Sequence, residues 1–406
     1  MGPASAAGDD RRRFAARVAR IAERPGGGWA VHFDAVARRD RGEDVILLSI
    51  GDHEFATPEP IVEAAIAALR AGHHHYTPAA GIPELRRAIA AFYADKAAVP
   101  MTSDNIVVVP GAQGGLYALL QCLAESGDEV LVPEPMYVTY PETVAASGAR
   151  LVPVPLSPER GFALDPAALA ARVGGRTRAV LVNTPHNPTG TVASREAMGE
   201  LVELCRRHGL WLVSDEVYAG MVYGGGHVSA LAFADRHERI AVVESLSKSC
   251  AMTGWRVGWT VTPPDLAHFL EHLTGVVTYG LPPFIQEAAV EAMARLDELE
   301  GNIARLYERR AARVCDTLAA DPDLLVHRPR AGMFVMLGVA RFGLDGERFA
   351  RRLLDEEGVS LLPGESFGPA TRDCVRLSLS ADEADLDEAC RRILRFTAAL
   401  RAAGRR

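Results

Sequence analysis

Lysine is almost absent from this sequence. Only two of its 44 lysine and arginine residues are lysines, Lys96 and Lys248, in a chain of 406 residues. Arginine does not deprotonate in proteins and so cannot form an imine with an aldehyde, which invites a chemical reason for each remaining lysine. Lys96 stands in FYADKAAVP, at a polar helix end, and is predicted to lie on the surface. Lys248 follows an apolar run in ESLSKSCAMTGW and is the candidate for catalysis.

Features of membrane, secreted and nucleic-acid-binding proteins are also lacking. No apolar stretch reaches the roughly 18–20 residues that a membrane span needs. The N-terminus, MGPASAAGDDRRRF, lacks the apolar core of a signal peptide. The net charge of −8 argues against nucleic acid or an anionic membrane as the main partner. We therefore expect a cytoplasmic protein that acts on small molecules, with no nucleic-acid or membrane partner.

The cysteines form no recognisable motif, and the histidines form only one run. The six cysteines are widely spaced and none forms a C-x-x-C pair, which predicts free thiols in a reducing compartment. The one histidine run, His73 to His75, precedes Tyr76 in a predicted loop. Metal ligands must converge from a rigid frame, and three adjacent loop residues rarely do so. We predict no metal site.

What the sequence does contain is an alternation of short apolar runs with helical segments. The strand-like runs are Ile106–Val109, Glu129–Val132, Leu151–Val154, Ala179–Val182, Leu210–Ser214, Ile240–Glu244 and Val257–Val261. Continuous apolar strands separated by helices predict an α/β fold with a mainly parallel, seven-stranded sheet covered by helices on both faces. The run at 257–261 follows its neighbour closely and is the candidate for an antiparallel exception.

After about residue 285 helices dominate, with a few short strands, which predicts a smaller α+β domain. We therefore predict an N-terminal arm at 1–28, a large ligand-binding domain at 52–285, and a small domain built from 29–51 and 286–406.

Open parallel sheets bind ligands beyond the carboxyl ends of their strands, so the residues that follow each strand are the candidates. Gly111, Ala112 and Gln113 follow the first run and open a helix, where small residues and backbone N–H groups suit a phosphate. An ordinary helix-initiating turn remains the alternative. The dinucleotide motif G-x-G-x-x-G and the nucleotide-triphosphate motif are both absent.

Three further strand ends carry polar groups. Asn187 lies in NTPHNPTG, where it either points its amide at a ligand or belongs to an ordinary rigid turn. Asp215 follows an apolar run, and a buried acid there needs a cationic partner such as a pyridinium nitrogen. Ser245 and Arg256 would suit a phosphate and leave Lys248 free for an aldehyde.

Together these residues resemble the class I and II aminotransferases, enzymes of fold type I that depend on pyridoxal 5′-phosphate (PLP). The shared motifs are N-x-x-x-N-P-T-G, S-D-E-V-Y, S-x-S-K with G-W-R eight residues later, and an arginine in VRLS. They occur in matching order over roughly residues 29–400. The resemblance implies amino transfer from an L-amino acid to a 2-oxo acid by a ping-pong mechanism, in a homodimer with shared active sites.

The resemblance also assigns roles to individual residues. Lys248 would hold the cofactor and move the Cα proton, Asp215 would pair with the ring nitrogen, and Tyr218 would assist at the ring oxygen. The implied cofactor contacts are Gly111, Ala112, Gln113, Tyr137, Asn187, Asp215, Tyr218, Ser245, Lys248 and Arg256, with Tyr76 reaching the phosphate of the neighbouring subunit. The implied substrate contacts are Gly51, Asn187 and Arg376, with Arg376 gripping the α-carboxylate. Core packing remains the alternative for Tyr76 and Tyr137.

One departure concerns substrate choice. The family often reads G-x-P-D-F where this chain has GDHEF, so that His53 replaces a proline and the turn is expected to be less rigid. Stretches such as PEPMYVTY, SLSKSCAMTGWRVGW and YGLPPFIQ are most similar to arginine–pyruvate transaminases. A cationic substrate would favour a carboxylate in the pocket, with Glu54 or Asp52 as candidates, although both could equally be surface residues. A PLP-dependent lyase, oxidase or decarboxylating enzyme, and more remotely a non-catalytic ligand-binding module, remain alternatives.

Overall fold

The computed structural model describes residues 15, 18, 21 and 27–404. The predicted N-terminal arm at 1–28 therefore lies almost entirely outside the described residues. The described helices are α1 Gly27–Asp40, α2 Glu59–Arg70, α3 Pro83–Tyr93, α4 Gly111–Leu123, α5 Tyr140–Ser147, α6 Pro166–Ala170, α7 Arg195–His208, α8 Leu246–Ser249, α9 Pro264–Val277, α10 Pro283–Ala294, α11 Leu296–Leu318, α12 Gly346–Glu357 and α13 Glu383–Gly404.

The central sheet forms from the apolar runs. Its strands are β2 Ile106–Val109, β3 Glu129–Glu134, β4 Arg150–Pro155, β5 Thr177–Asn183, β6 Trp211–Asp215, β7 Ile240–Ser245 and β8 Gly258–Val261, after a short first strand β1 at Ile46–Leu47. They lie in the order β2-β8-β7-β6-β5-β3-β4. Strand β8 pairs antiparallel with both of its neighbours, while the other pairs are parallel. The predicted α/β fold with a mainly parallel seven-stranded sheet is confirmed, and so is its antiparallel exception.

Local signals in the sequence set the helix boundaries between these strands. The Ser194 hydroxyl accepts a hydrogen bond from the backbone N–H of Ala197 and caps α7, which satisfies an otherwise unpaired donor. Gly209 ends the same helix with a φ of +63°, a left-handed conformation that glycine adopts without a steric penalty. The helices cover both faces of the sheet, so every residue of β2, β3, β7 and β8 is buried.

The C-terminal part contains two smaller sheets. Strands β9 Leu325–His327, β10 Phe334–Gly338, β12 Leu362–Pro363 and β13 Cys374–Ser378 form an antiparallel sheet in the order β12-β13-β10-β9. Strand β11, Val359–Ser360, pairs in parallel with β1. The segment before the large sheet thus joins the C-terminal part, as the predicted small domain requires.

Helix α10 bears on the predicted domain boundary. The boundary between residues 285 and 286 falls inside this helix, which packs against α2 and α3 in the same apolar core as the large sheet. The division into two domains stays a prediction, and these contacts favour a boundary between α10 and α11.

No helix in the described part of the chain is long and apolar enough to cross a membrane. All six cysteines are free.

Candidate active site

A cavity of about 160 Å³ opens at the carboxyl ends of the parallel strands. Strand geometry explains its position, because β5, β6 and β7 all run in the same direction and end at this edge. Predicted site residues line it together, namely Ala112, Gln113, Tyr137, Asn187, Asp215, Tyr218, Ser245, Lys248 and Arg256.

The N-terminus of α4 forms one wall of this cavity. No side chain caps the helix, so its first N–H groups are available to an anion. Gly111 has a φ of +73°, and a Cβ atom there would lie 2.4 Å from Nη2 of Arg256. The side chain of Gln113 is engaged with Thr139 and Thr143. The glycine is thus required sterically, and the arginine is held close to the start of the helix.

Asp215 is a buried carboxylate at the end of β6. Its Oδ2 accepts a hydrogen bond of 2.6 Å from the Tyr140 hydroxyl, and its Oδ1 accepts one of 3.2 Å from the backbone N–H of Val217. Burial raises the pKa of Asp215 to about 6, although these two hydrogen bonds lower it. In the described part of the chain this carboxylate has no cationic side chain within ion-pairing distance. It is therefore suited to a cationic ligand.

Lys248 lies in the short helix α8, directly after β7, and its ammonium donates a hydrogen bond to the carbonyl oxygen of Gly51. The pKa of Lys248 is lowered to about 8, chiefly by burial; Asp52 opposes this shift, and Arg376 and Arg256 add to it. Roughly a tenth of the molecules then carry a free amine at this position at pH 7, and a nucleophile or proton carrier requires this form.

Asn187 links two other predicted residues. Its Nδ2 donates to the hydroxyl of Tyr218 over 3.2 Å, and its Oδ1 accepts from Nη1 of Arg376 over 2.9 Å. Burial raises the pKa of Tyr218 above its ordinary value. These three buried side chains thus form one hydrogen-bonded chain at the cavity.

The guanidinium of Arg376 lies between two aromatic rings, 3.9 Å from the ring centre of Phe334 and 4.8 Å from that of Phe367. Its Nη2 donates to the carbonyl of Ser49, while its Nε is buried without a hydrogen-bond partner. Burial lowers the pKa of Arg376 to about 10. The two rings fix the plane of the guanidinium, and its Nε–H group can still donate a hydrogen bond to a carboxylate.

Side-chain contacts hold the segment GDHEF in place. His53 Nδ1 lies 2.8 Å from the Tyr307 hydroxyl, and its Nε2 lies 3.0 Å from the carbonyl oxygen of Lys248. The carboxylate of Glu54 is paired with both terminal nitrogens of Arg310. The expectation of a less rigid turn rested on backbone chemistry alone, whereas the histidine anchors this turn through both ring nitrogens.

Four predicted residues lie outside the cavity lining. Gly111 contacts Arg256, Gly51 contacts Lys248, and Arg376 contacts Asn187, so each adjoins a residue that does line it. Tyr76 does not adjoin the cavity within one chain. Its side chain is 86% exposed and packs on Tyr279, with ring centres 4.9 Å apart.

Sequence reasoning missed Tyr140, Asn183 and Thr253. Asn183 accepts from the backbone N–H of Asn187 over 2.7 Å and shapes that loop, and Thr253 lines the cavity. Tyr140 lies three residues after Tyr137, at the start of α5, and the two rings pack edge to face with their centres 5.7 Å apart. That spacing was the available signal.

The cavity fits the cofactor that the sequence resemblance implies. The hydroxyl of Ser245 is buried without a hydrogen-bond partner beside the uncapped start of α4, as a phosphate would require. The carboxylate of Asp215 suits the protonated ring nitrogen of PLP, and the amine of Lys248 suits its aldehyde. The donor set thus matches each end of the cofactor.

Comparison with known proteins agrees with this chemistry. The family profile of the class I and II aminotransferases matches residues 43–393. The arginine–pyruvate transaminase of Pseudomonas aeruginosa is 46% identical over 382 residues, which cover 94% of this chain and 97% of that protein. An aspartate aminotransferase of Pyrococcus horikoshii is 33% identical over 359 residues, covering 88% of this chain and 91% of that protein.

Solved structures are similar along nearly the whole chain. An aspartate aminotransferase of Thermus thermophilus with maleate has a TM-score of 0.87 at 34% identity, covering 94% of this chain and 99% of that one. An aromatic aminotransferase of Pyrococcus horikoshii has a TM-score of 0.85 at 31% identity, covering 90% and 99%.

The raised pKa of Asp215 leads to a prediction for the cofactor-free protein. The folded chain keeps a proton that the unfolded chain releases between the ordinary aspartate pKa of 3.8 and the folded pKa of about 6, so stability falls as pH rises through that window. Asp215→Asn removes this penalty of about 3 kcal/mol and loses one hydrogen bond worth about 1 kcal/mol. We expect the variant to be more stable by about 2 kcal/mol at pH 8, with the gain vanishing near pH 4. Urea unfolding at both pH values measures it.

The exposed Asp52→Asn variant is the matched control and should show no such pH-dependent gain. Equal stability of Asp215→Asn and the parent at pH 8 would contradict the unfavourable burial of this carboxylate.

The two lysines allow a direct test of attachment. Borohydride reduction of the cofactor-loaded protein should fix one cofactor mass on the peptide that contains Lys248 and none on the peptide that contains Lys96. Lys248→Ala should lose this label while Lys96→Ala retains it, as read by peptide mass spectrometry. Label on Lys96 would exclude Lys248 as the attachment site.

Proposed function

Given that this chain belongs to the class I and II aminotransferase family, we propose that its amino donor is arginine and its acceptor is pyruvate. The chain is a PLP-dependent aminotransferase that moves an amino group from an L-amino acid to a 2-oxo acid. The observation that carries the choice of donor is Asp52, an exposed carboxylate in the segment GDHEF that has no cationic side chain within ion-pairing distance in the described part of the chain. The relative that is 46% identical is named for arginine and pyruvate.

PLP, when bound, supplies an aldehyde for the amino group and a ring that accepts electrons from the substrate Cα. Asp215 would hold the charge on its ring nitrogen, supported by the Tyr140 hydroxyl at 2.6 Å. Tyr218 and Asn187 would hydrogen-bond its ring oxygen, and Tyr137 would pack on its face. Gly111, Ala112, Gln113, Ser245 and Arg256 would seat its phosphate.

Lys248 would carry the substrate proton. Its pKa of about 8 supports this role, because the side chain can both accept and return a proton near neutral pH. His53 would steady α8 through the carbonyl oxygen of Lys248. The amine would then stay within reach of the substrate Cα.

Arg376 would bind the α-carboxylate that all amino-acid donors share. Its unpaired Nε and its fixed plane between Phe334 and Phe367 support a carboxylate fork. Asn187, which already contacts Nη1, and Gly51 would complete this part of the substrate site.

The donor side chain would meet Asp52. Glu54, the other candidate, is already neutralised by Arg310, so its role would be to hold the segment in place. Asp52 accepts a 2.7 Å hydrogen bond from Thr253, which leaves its second oxygen for a guanidinium. Because Thr253 also lines the cavity, this carboxylate would lie at the cavity mouth.

The active unit would be a homodimer with shared sites, and Tyr76 would reach the phosphate in the neighbouring subunit. An exposed apolar surface around Tyr76 supports this arrangement, since large apolar patches mark interaction surfaces. Its members Val276, Val277 and Tyr279 are 86%, 57% and 66% exposed. The cytoplasm remains the proposed location, in keeping with the free cysteines.

The half-reaction tests the proposed donor. Arginine alone should convert the bound cofactor from its pyridoxal to its pyridoxamine absorbance, and pyruvate should restore the first spectrum and yield alanine. Each amino acid is offered in turn to the purified enzyme. Conversion by aspartate but not by arginine would contradict arginine as the donor. Release of carbon dioxide or ammonia without conversion of the cofactor would indicate a decarboxylating enzyme or a lyase.

Asp52→Asn should lower kcat/KM for arginine about tenfold, which corresponds to about 1.4 kcal/mol, because one ion pair is lost. Its kcat/KM for an uncharged donor such as methionine should stay within twofold. Glu54→Gln is the matched control and should lower both values alike, because it loosens the whole segment. Equal loss for both donors in Asp52→Asn would remove Asp52 from the side-chain site.

A further inference from the structure

A second cavity lies behind the candidate active site. Side chains alternate between the two faces along a strand, so Glu244 points away from the cavity that its neighbour Ser245 lines. Glu216, next to Asp215, is likewise on the far side. Both glutamates line a cavity of about 510 Å³, which we call the rear chamber. The end of α3, the loop around His227 and the start of α11 form its other walls.

The rear chamber has a large excess of acidic groups. Its carboxylates are Asp95, Glu216, Glu244, Asp297 and Glu300, against the cations Lys96 and Arg195, with His227 and Tyr93 as the other titratable groups. Glu216 and Glu244 are 1% and 2% exposed. Burial raises the pKa of Glu244 and that of Glu300; the charges of Glu300 and Glu216 raise the pKa of Glu244 further, that of Asp297 raises the pKa of Glu300, and the charge of Lys96 opposes both shifts. When these carboxylates are ionised, the cations of the chamber are too few to neutralise them.

The polar groups of the chamber are incompletely paired. The side chain of His227 is 7% exposed, and its Nε2 lies 3.0 Å from Oε2 of Glu216, but both ring nitrogens are buried without a hydrogen-bond partner in the described part of the chain. Oε1 of Glu300 is also buried without one. Such orphaned groups are rare in native structures and call for a ligand or ordered water.

The nearest lysine does not supply the missing charge. The ammonium of Lys96 lies 3.0 Å from the ring centre of Phe92. In the described part of the chain it has no carboxylate within ion-pairing distance. An external cation can therefore occupy the chamber, and Lys96 would compete with it for Glu244 and Glu300.

We propose that the rear chamber binds a small organic cation that carries a guanidinium or ammonium group, as a site separate from the amino-transfer cavity. Among the described residues no cluster of histidine, cysteine and acidic side chains has metal-site geometry, which favours an organic cation over a metal ion. A guanidinium offers several N–H donors in a plane and is readily desolvated, so it can bridge neighbouring carboxylates. The vacant Nδ1 of His227 would accept one further N–H.

The chamber is physically connected to the cofactor side of the sheet. Glu216 and Glu244 are covalent neighbours of Asp215 and Ser245. The Tyr93 hydroxyl donates to Glu244 and accepts a 3.3 Å hydrogen bond from Nε1 of Trp259. A cation on Glu244 would thus change the surroundings of a buried indole, which provides an optical signal.

Methylguanidinium is a suitable probe because it has no α-amino group to transfer. Titrated into the holoenzyme at constant ionic strength, it should bind at one saturable site by calorimetry, with a change in tryptophan fluorescence. Protons should be released on binding near pH 7, and the affinity should rise at least threefold from pH 6.5 to pH 8.5, because the cation binds the ionised carboxylates. Sodium chloride in the same range is the control and should give neither signal.

Three variants locate the site. Glu300→Gln should weaken binding at least tenfold, whereas Asp52→Asn should bind as the parent does. Lys96→Met should bind several-fold more tightly, because the internal competitor is gone, and this variant keeps the test decisive if Glu300→Gln does not fold. Absence of saturable binding, loss of binding in Asp52→Asn alone, or unchanged affinity in Lys96→Met would overturn the proposal. None of these outcomes depends on which amino acid is the donor.

Discussion

The carboxylate of Asp215 is the constraint on which the cavity depends. It lies at the end of a strand that is buried on both faces, where an ionised acid is unfavourable without a cation. The fold supplies two hydrogen bonds, from Tyr140 and Val217, and leaves the charge itself unpaired. A protonated pyridine nitrogen would complete the pair, so we expect the chain to be more stable with its cofactor than without it. The surrounding residues would then bind the phosphate end of the same ligand.

The sheet could be predicted closely because its signal is local. Each strand is a short apolar run, and burial on both faces demands such a run wherever the strand lies in the sheet. Only 12 residues separate β7 from β8, the shortest interval between consecutive strands of the large sheet, and this spacing identified the antiparallel strand. Helix α4 begins directly after β2, at Gly111, as the residues that follow the first apolar run predicted. Glycine has weak helix propensity, but at Gly111 and Gly114 the requirement for close approach prevails.

Most of the site residues that sequence reasoning identified lie at or shortly after the ends of strands, whereas Arg376 lies within β13 and Tyr76 lies between α2 and α3. Topology therefore brings them together, whatever the details of packing. The contacts that it did not anticipate join residues distant in sequence: His53 contacts Tyr307, 254 positions away, and Glu54 contacts Arg310, 256 positions away. No local pattern encodes such a pair. The family pattern of this segment contains a proline, and a rule about backbone rigidity could not anticipate that a histidine would restrain the segment through its ring.

The alternation of side chains along β6 and β7 connects the two cavities of the molecule. Because successive residues face opposite sides, a strand end that presents Asp215 or Ser245 to a cofactor presents Glu216 or Glu244 to the opposite face. Apolar residues at those two positions would have closed the rear face, as they do elsewhere in these strands. The chain instead carries carboxylates there and one of its two lysines nearby. A buried group of acids next to the proposed catalytic positions disfavours any additional negative charge behind the cofactor. Because Glu216 and Glu244 adjoin Asp215 and Ser245 in sequence, a change of charge in the rear chamber alters the electrostatic potential on the cofactor side of the sheet.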